Sequence, residues 1–355
     1  MQPVAPHVEL PLAEKLVWLR SAACYPGYEG PIEWVETHFA WVFFTHAYAF
    51  KLKKPVQIER LDFSTLAARH WNCLEELRLN RRLAPEVYLD VVPLARCEDG
   101  SLRLETAGPV VEWLVKMVRL DRTLMLDARL QTGALRAREL NAAFELLGQF
   151  YRHQPRIELM PTLFRRRLEA QVERNRAALL DVELALPNRE VRELTGLQLE
   201  FLADHHELFA KRAQGHVIVE GHGDLRPEHI FLGTPPCIID CLEFDRDLRI
   251  CDPVEEFAFL GIECARAGAS WVGSFALDVY AGICGDRPAQ ALVEFYAAHR
   301  ATSRAKVIAW HLRDPDYRTL APWSDLALEY LRAARASLDR ALHRATSAGS
   351  TSGTP

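Results

Sequence analysis

Strand-like and helix-like patterns are separated along this chain, and the separation constrains the fold more than any other feature. The first 120 residues predict the order strand, strand, helix, strand, strand, strand. Beyond Asp121 the periodicity is mostly helical, with predicted helices over residues 134–153, 163–180 and 190–212 and further helices from 253 to about 344. A run of strands followed by a run of helices is typical of an α+β fold.

The N-terminal pattern gives these elements approximate positions. Apolar residues at helical spacing predict a helix over residues 11–23, and aromatic and β-branched residues predict a hairpin over 32–56 that turns near 45–47. Asp62 and Ser64 can cap the long amphipathic helix that follows. Three further strands are predicted in the sequences VYLDVVPLA, SLRLETA and VVEWLVKMVRL, and later strand-like patterns occur only in HVIVEGH and PCIIDCLEF.

Length and composition exclude several classes of protein. With 355 residues, of which 49% are hydrophobic, the chain can bury a sizeable core and form two lobes. A net charge of −5 makes nucleic acid an unexpected partner. The sequence shows neither a leader pattern nor an apolar run that could cross a membrane, so we expect a cytoplasmic protein. The eight cysteines are scattered singly, which predicts reduced thiols that bind no metal.

Two aspartates carry the clearest chemical signal. Residues 222–229 read HGDLRPEH, and after a short turn an apolar stretch ends at Asp240. Asp224 and Asp240 each end a strand-like segment, so a hairpin or crossover could bring both carboxylates to one cleft. Phosphoryl transfer uses such a pair, because one acid orients the attacking hydroxyl and another holds the metal on the nucleotide phosphates. The alternative interpretation is that Asp224 only caps a helix.

This segment resembles the catalytic segment of the aminoglycoside phosphotransferase and choline kinase family, which shares the protein-kinase fold. The resemblance implies that Asp224 is the catalytic base and that Asp240 is a Mg²⁺ ligand. Arg226 matches a position where many protein kinases carry a lysine against the transferred phosphate. The similarity covers most of residues 30–270. The chain also resembles a bacterial branch of the family whose members are often fused to a C-terminal ATP-binding domain, so an ATP-binding protein is a candidate partner.

One residue departs from the family pattern. His229 occupies the position of the family's second metal ligand, an asparagine, and imidazole suits Mg²⁺ less well than an amide oxygen does. His229 could bind the metal directly, hold a metal-bound water, or have no metal role. Direct binding would favour Mn²⁺.

The predicted hairpin supplies the lysine that the resemblance requires. Lys51 follows a small residue by two positions, as in the Ala-x-Lys of the kinase third strand, and is the first choice for the lysine that binds the ATP phosphates. Lys53 lies on the same strand face and is the alternative, whereas Lys54 should face away. On the next helix Glu75 and Glu76 can position the lysine, and Glu76 is preferred. A solvated basic strand end and ordinary surface charges would explain the same residues.

The remaining nucleotide contacts are predicted from position alone. Backbone groups of residues 117–119, from Met117 to Arg119, fall where the fold has its hinge and are candidates for adenine contacts. The sequence contains neither a protein-kinase glycine loop nor a P-loop, so residues 37–40 must form the turn over the phosphates.

Several acids follow the strand that ends at Asp240. The resemblance implies that an acid near Asp252 or Glu256 steadies the catalytic loop. Glu243 could reach the metal or a cationic substrate.

Together these patterns predict a bilobal protein-kinase-like α+β fold that transfers the γ-phosphoryl of ATP to a hydroxyl of a small molecule. Residues 1–120 would form a small nucleotide-binding lobe with an antiparallel sheet, and 121–345 a larger helical lobe with the catalytic and metal site. The nucleotide would lie between them, and residues 346–355 would be a disordered tail. The alternative is a catalytically weak nucleotide-binding module that regulates a partner protein, motivated by His229 and by Ala40 where relatives often carry a hydroxyl. The acceptor is left open.

Overall fold

The computed structural model describes residues 10–58, 61–181, 186–313, 319 and 321–350. The chain divides into two compact units. The first contains Met1–Met125 and His229–Leu248, and the second contains Leu126–Glu228 and Arg249–Pro355. The first unit holds the large sheet and the second is mainly helical, which confirms the predicted α+β class.

The sheet of the first unit has six antiparallel strands in the order β1-β2-β3-β8-β6-β7. The strands of this part of the chain are β1 (Glu33–Glu36), β2 (Ala40–Phe44), β3 (Tyr48–Lys53), β4 (Gln57–Ile58), β5 (Leu61–Asp62), β6 (Tyr88–Arg96), β7 (Leu102–Leu104) and β8 (Val110–Val118). The predicted hairpin corresponds to β2 and β3, and the three later strands are β6 to β8. The sequence did not predict β1, because all four of its residues are exposed and show no apolar alternation.

Two helices flank this sheet, and the pleat of β3 divides its side chains between them. Helix α1 (Leu12–Leu19) covers the apolar cluster that contains Phe50 and Leu52, whereas helix α2 (Leu66–Asn80) covers the cluster that contains Ala49. The predicted cap of α2 is wrong. Thr65 accepts the N–H of Ala68 at 3.1 Å, because it is the residue directly before the helix.

The excursion His229–Leu248 belongs to the first unit and contains β10 (Ile230–Phe231) and β11 (Cys237–Ile238), which pair antiparallel. Cys237 packs in the same apolar cluster as α2. This segment therefore joins the part of the sheet that carries Ala49 rather than the helices that precede it in sequence.

The second unit is built mainly from helices. Its helices are α3 (Leu126–Gln131), α4 (Ala137–His153), α5 (Pro161–Leu179), α6 (Asn188–Asp204), α7 (His206–Gln214), α9 (Pro253–Arg266), α10 (Trp271–Cys284), α11 (Gln290–Trp310) and α12 (Trp323–Ser350); α8 (Arg246–Arg249) crosses the division between units. The strands β9 (Val219–Glu220) and β12 (Ile250–Cys251) form a short antiparallel pair. None of the helices in the described part of the chain meets the length and apolarity needed to cross a membrane.

Two helix boundaries differ from the sequence prediction. The single helix predicted over 190–212 is broken at His205, whose ψ of 31° leaves the helical range. The break lets Phe201 of α6 and Phe209 of α7 both contact the ring of Phe295 on α11, at centroid distances of 5.0 and 5.1 Å. At the C-terminus, residues 346–350 of the expected tail continue α12, and 351–355 lie outside the described residues.

Candidate functional site

Five charged side chains of the first unit form one ion-pair network. The Lys51 ammonium lies 2.8 Å from Glu76 Oε1, and the Lys53 ammonium lies 2.6 Å from Oε2 of the same carboxylate. Lys51 also lies 2.6 Å from Asp240 Oδ1, and Lys53 contacts Glu243. We call these five residues the lysine–carboxylate network. It joins β3, α2 and the segment after β11.

Strand pleating places the two lysines of the network on one face. Ala49 belongs to the apolar cluster beneath α2, and Lys51 and Lys53 follow it at a period of two, so they face α2 as well. Lys54 turns to the other side, where its ammonium contacts Glu36. The alternation of β3 therefore explains why two of three closely spaced lysines reach Glu76.

Helical periodicity places Glu76 rather than its neighbour in the network. Cys73 and Asn80, three residues before and four residues after Glu76, are buried on the same face of α2. Glu75 points away and lies 2.7 Å from Arg78 in a partly exposed ion pair. Of the two glutamates that the sequence offered, the structure brings Glu76 to the lysines.

The network is charged despite its burial. Burial by itself would lower the pKa of Lys51, but Asp240 and Glu76 outweigh it and raise that pKa well above its ordinary value. Burial likewise opposes charge on Glu76, yet Lys51 and Lys53 hold the pKa of Glu76 below its ordinary value. Both groups are therefore ionised at neutral pH. Charges in such a place are tolerated only while each has a partner.

Asp240 adopts a rare backbone conformation, with a φ of 61°. Its N–H donates to the hydroxyl of Tyr88 at 3.1 Å, and the next N–H, of Cys241, donates to the side-chain oxygen of Asn80 at 2.8 Å. Strain of this kind persists where surrounding contacts enforce it, and it clusters at functional sites. The Asp240 side chain remains 43% exposed, so it is the member of the network with the greatest access to a metal or phosphate.

His229 lies beside the second oxygen of Asp240. Its Nε2 is 3.4 Å from Asp240 Oδ2, and its carbonyl accepts the N–H of Ile239 at 2.9 Å. The residue that departs from the family's asparagine is therefore adjacent to the predicted metal ligand.

The donor set fits a divalent metal only together with ligands from the nucleotide. In the described part of the chain, no group of three or more His, Cys, Asp or Glu side chains is arranged to hold a metal ion. Asp240 and His229 offer one carboxylate and one imidazole. Mg²⁺ in nucleotide sites is commonly held by one or two carboxylates together with waters and phosphate oxygens, so Asp240 is a ligand of the kind that such a site uses.

In the second unit, Glu256 of α9 holds the backbone of the HGD segment. Its carboxylate accepts the N–H groups of His222, at 3.0 Å, and Gly223, and it accepts the Tyr151 hydroxyl at 2.6 Å. A Cβ on Gly221 would lie 2.3 Å from Glu256 Oε2, so this approach requires glycine. The backbone that leads to the predicted base is thus fixed by a buried carboxylate.

Asp224 and Arg226 contact each other. The Arg226 Nε donates to Asp224 Oδ2 at 3.0 Å, and its Nη1 lies 2.5 Å from Glu228 Oε1. Arg300 of α11 donates to the carbonyl oxygen of Gly223 at 2.8 Å and so supports the turn from behind. The guanidinium of Arg226 therefore shares its charge between the predicted base and a neighbouring acid.

Asp252 and Glu255 have separate roles on α9. Asp252 caps this helix by accepting the N–H of Val254 at 3.0 Å, and it also binds the guanidinium of Arg212 through Nε at 2.6 Å. Burial raises the pKa of Glu255 to about 7, although Arg300, at 3.6 Å, opposes the rise. Of the two acids that the resemblance offered as a support for the catalytic loop, Glu256 is the one that contacts its backbone.

The residues of the predicted hinge, 117–119, make contacts with other parts of the first unit. Met117 is buried on β8 and pairs with Ala49 in register. The N–H of Arg119 donates to the carbonyl of Ala47 at 2.9 Å, and its guanidinium lies 2.7 Å from Glu33. Adenine contacts at these residues therefore stay a prediction. At the expected phosphate turn, Thr37 and Ala40 close a hydrogen-bonded loop.

Sequence reasoning missed Tyr151 and Arg300. Both lie on helices whose periodicity predicts only packing. Tyr151 contacts Glu256 across 105 residues of chain, and Arg300 contacts the carbonyl of Gly223 across 77. The one available signal was a tyrosine in a buried stripe, since a buried hydroxyl needs a partner.

Comparison with known proteins gives two kinds of relative. No protein-family model matches the sequence. An uncharacterized protein of Mycobacterium tuberculosis is 32% identical over 279 residues, which make up 77% of this chain and 53% of that protein. An uncharacterized protein of Mycobacterium bovis matches with the same values. The chain thus spans about half the length of the curated relatives it matches.

Solved structures identify the fold. A choline/ethanolamine kinase family protein from Mesorhizobium loti superposes with a TM-score of 0.52 at 17% identity, over 90% of this chain and 93% of that one. Choline kinase from Cryptosporidium parvum gives 0.56 at 8% identity, over 94% and 97%. A thermostable mutant of aminoglycoside phosphotransferase APH(4)-Ia gives 0.51 at 10% identity, over 88% and 96%. This chain therefore has the protein-kinase-like fold of the choline kinases and aminoglycoside phosphotransferases, as the sequence of residues 222–240 predicts.

Proposed function

We propose that this protein is an ATP-dependent phosphotransferase that moves the γ-phosphoryl of ATP to a hydroxyl of a small molecule. The observation that carries the proposal is the contact of Lys51 with both Glu76 and Asp240. In kinases, a strand lysine held by a helix glutamate positions the phosphates, and an aspartate holds the bridging metal. The first unit brings these three side chains together although 189 residues of chain separate Lys51 from Asp240.

The proposed mechanism assigns separate tasks to the named side chains. Lys51, oriented by Glu76, binds phosphate oxygens, and Asp240 would hold Mg²⁺ or Mn²⁺, which would neutralise phosphate charge there. Asp224 orients the acceptor hydroxyl and takes its proton. Arg226 contacts Asp224 and can offset charge on the transferred group.

Thermal unfolding with nucleotide tests the first part of the proposal. ATP with Mg²⁺ or Mn²⁺ should raise the melting temperature, because a ligand that binds only the folded state stabilises it by mass action. Lys51→Met should remove most of that rise. Lys54→Met is the matched control, since Lys54 is also a lysine of this strand end but contacts Glu36 on the other face. No rise at millimolar nucleotide with either metal would exclude ATP as the ligand.

Turnover tests the second part. A panel of small hydroxyl compounds is incubated with ATP and metal, and ADP and phosphorylated product are measured. Asp224→Asn should abolish transfer while leaving the ATP-dependent rise in melting temperature intact, because the base acts on the acceptor. Full activity in this variant would remove Asp224 from the mechanism.

A second candidate function is that of a catalytically weak nucleotide-binding module that regulates a partner protein. An ATP-binding protein is the expected partner. The position of His229, 3.4 Å from Asp240, favours it, since imidazole replaces the oxygen ligand that normally helps neutralise transition-state charge. ATP binding without transfer to any member of the panel would support this candidate over the enzyme.

A further inference from the structure

Rows of side chains from α9 and α11 run side by side next to the catalytic segment. The guanidinium carbon of Arg300, which donates to that segment's backbone, lies 4.7 Å from the ring centroid of Phe259. One turn further along these two helices stand Arg304 and Glu263. Burial raises the pKa of Glu263, and Arg304 and Arg226 are both close enough to oppose that rise. Arg304 therefore stands near Glu263, one helical turn from the arginine that contacts Gly223.

The other charged groups of this neighbourhood have direct partners. Arg226 contacts Asp224 at 3.0 Å and Glu228 at 2.5 Å. Glu263 accepts the hydroxyl of Tyr330 on α12, with its two oxygens at 2.6 and 2.8 Å. These contacts give the nearby carboxylates hydrogen-bond partners other than Arg304.

Arg304 differs from them. Its Nε is buried and has no hydrogen-bond partner among the residues that the structure describes. A guanidinium is always charged and offers donors in a planar fork, so a buried Nε without an acceptor is costly. An anion with two oxygens is the ligand that satisfies such a fork. Because Arg304 lies one turn along α11 from Arg300, which contacts Gly223, an anion bound by Arg304 would lie near the catalytic segment.

We propose that Arg304 binds an anionic group, a carboxylate or a phosphate, on the acceptor whose hydroxyl is phosphorylated. This inference rests on the proposed phosphotransferase function and names its substrate class. It separates this protein from a choline kinase, since choline carries a positive charge that Arg304 would repel. Arg304 is on this proposal a specificity-determining residue, and Asp224 remains the base.

Melting temperatures measured without nucleotide or metal test the anion site directly. The probes are glycerol 3-phosphate and glycerate, which carry a hydroxyl with a phosphate or a carboxylate, and the comparison compounds are neutral glycerol and cationic choline. The variants are Arg304→Gln and, should that protein fold poorly, Arg304→Lys. Arg189→Gln serves as control because the Arg189 side chain is 91% exposed.

We expect one or both anions to raise the melting temperature of the wild type and of Arg189→Gln, with no rise from glycerol or choline. The half-saturating concentration should increase about tenfold in Arg304→Gln, the loss of one charge-assisted contact, and less in Arg304→Lys. The stronger of the two anions identifies the group. In the presence of ATP, the same anion should be the better acceptor.

Three results would overturn the inference. The first is an anion-dependent rise in melting temperature that is equal in the wild type and both Arg304 variants. The second is a rise that is lost in Lys51→Met but kept in Arg304→Gln, and the third is a rise with choline alone or with none of the compounds. Failure of the proposed function is distinguishable, because it would appear as loss of the ATP response while the anion response through Arg304 remained.

Discussion

Replacing Lys53 with Met should destabilise the first unit far more than the same change at Lys54. The Lys53 side chain is 1% exposed and contacts Glu76, which is fully buried, and Glu243, which is 10% exposed. Methionine preserves the apolar stem but removes the charge, so both carboxylates lose a cation in a place where water cannot replace it.

The contacts set the size of the effect. Removing one partner of a buried ion pair costs roughly 3–5 kcal/mol. The lower end, about 3 kcal/mol, is expected here because Lys51 remains 2.8 Å from Glu76. A loss of about 1 kcal/mol lowers the melting temperature of a unit of this size by about 2–4 °C. The melting temperature of the first unit should therefore fall by roughly 10 °C. Lys54 pairs with Glu36, whose side chain is 39% exposed, so Lys54→Met should cost less than about 1 kcal/mol.

Urea unfolding of the wild type and the two variants measures these losses, and its pH dependence checks their cause. The pKa of Glu76 is lowered in the folded state, so its contribution to stability is present above its unfolded value and is lost as pH falls through its folded value. The deficit of Lys53→Met should therefore be largest above about pH 5 and should shrink as the pH falls further. Adding Glu243→Gln to Lys53→Met should recover part of it, because a buried charge is removed. Equal losses in Lys53→Met and Lys54→Met, or a deficit independent of pH, would refute the reasoning.

Three further predictions concern His229, Glu256 and Glu255. His229→Asn should keep or increase Mg²⁺-dependent turnover and lose any preference for Mn²⁺, measured as initial rates with each metal; unchanged metal preference and rate would show that His229 is not a ligand. Glu256→Gln should lower turnover at least tenfold while ATP affinity changes little, because a neutral amide supports the loop N–H groups less well; a loss confined to ATP affinity would contradict this. Because burial raises the pKa of Glu255 to about 7, the folded state binds more protons than the unfolded state between about pH 4.5 and 7, so this group makes stability fall as pH rises. Glu255→Gln should remove that part of the slope in a series of denaturation curves, and an unaltered slope would assign it to another group.

Local periodicity explains what the sequence predicted well. The order of strands and helices, the hairpin of β2 and β3 and the common face of Lys51 and Lys53 all depend on residues within a few positions of one another. The predictions that failed were also local, since the cap of α2 is Thr65 and the helix after residue 190 breaks at His205. Such boundaries depend on single dihedral angles and on packing that no local pattern contains.

The sequence by itself determined the α+β class, the candidate acids Asp224 and Asp240 and the orientation of the β3 lysines, because composition, spacing and strand pleating are properties of neighbouring residues. Only the tertiary structure decided that Lys51 contacts Asp240 across 189 residues and that Glu256 binds the backbone of His222 and Gly223. It also left Arg304 with a buried Nε that has no acceptor among the described residues. The packing of elements that are distant in sequence determines which charged side chains form pairs. These pairs are specific because burying a charge without a partner is costly.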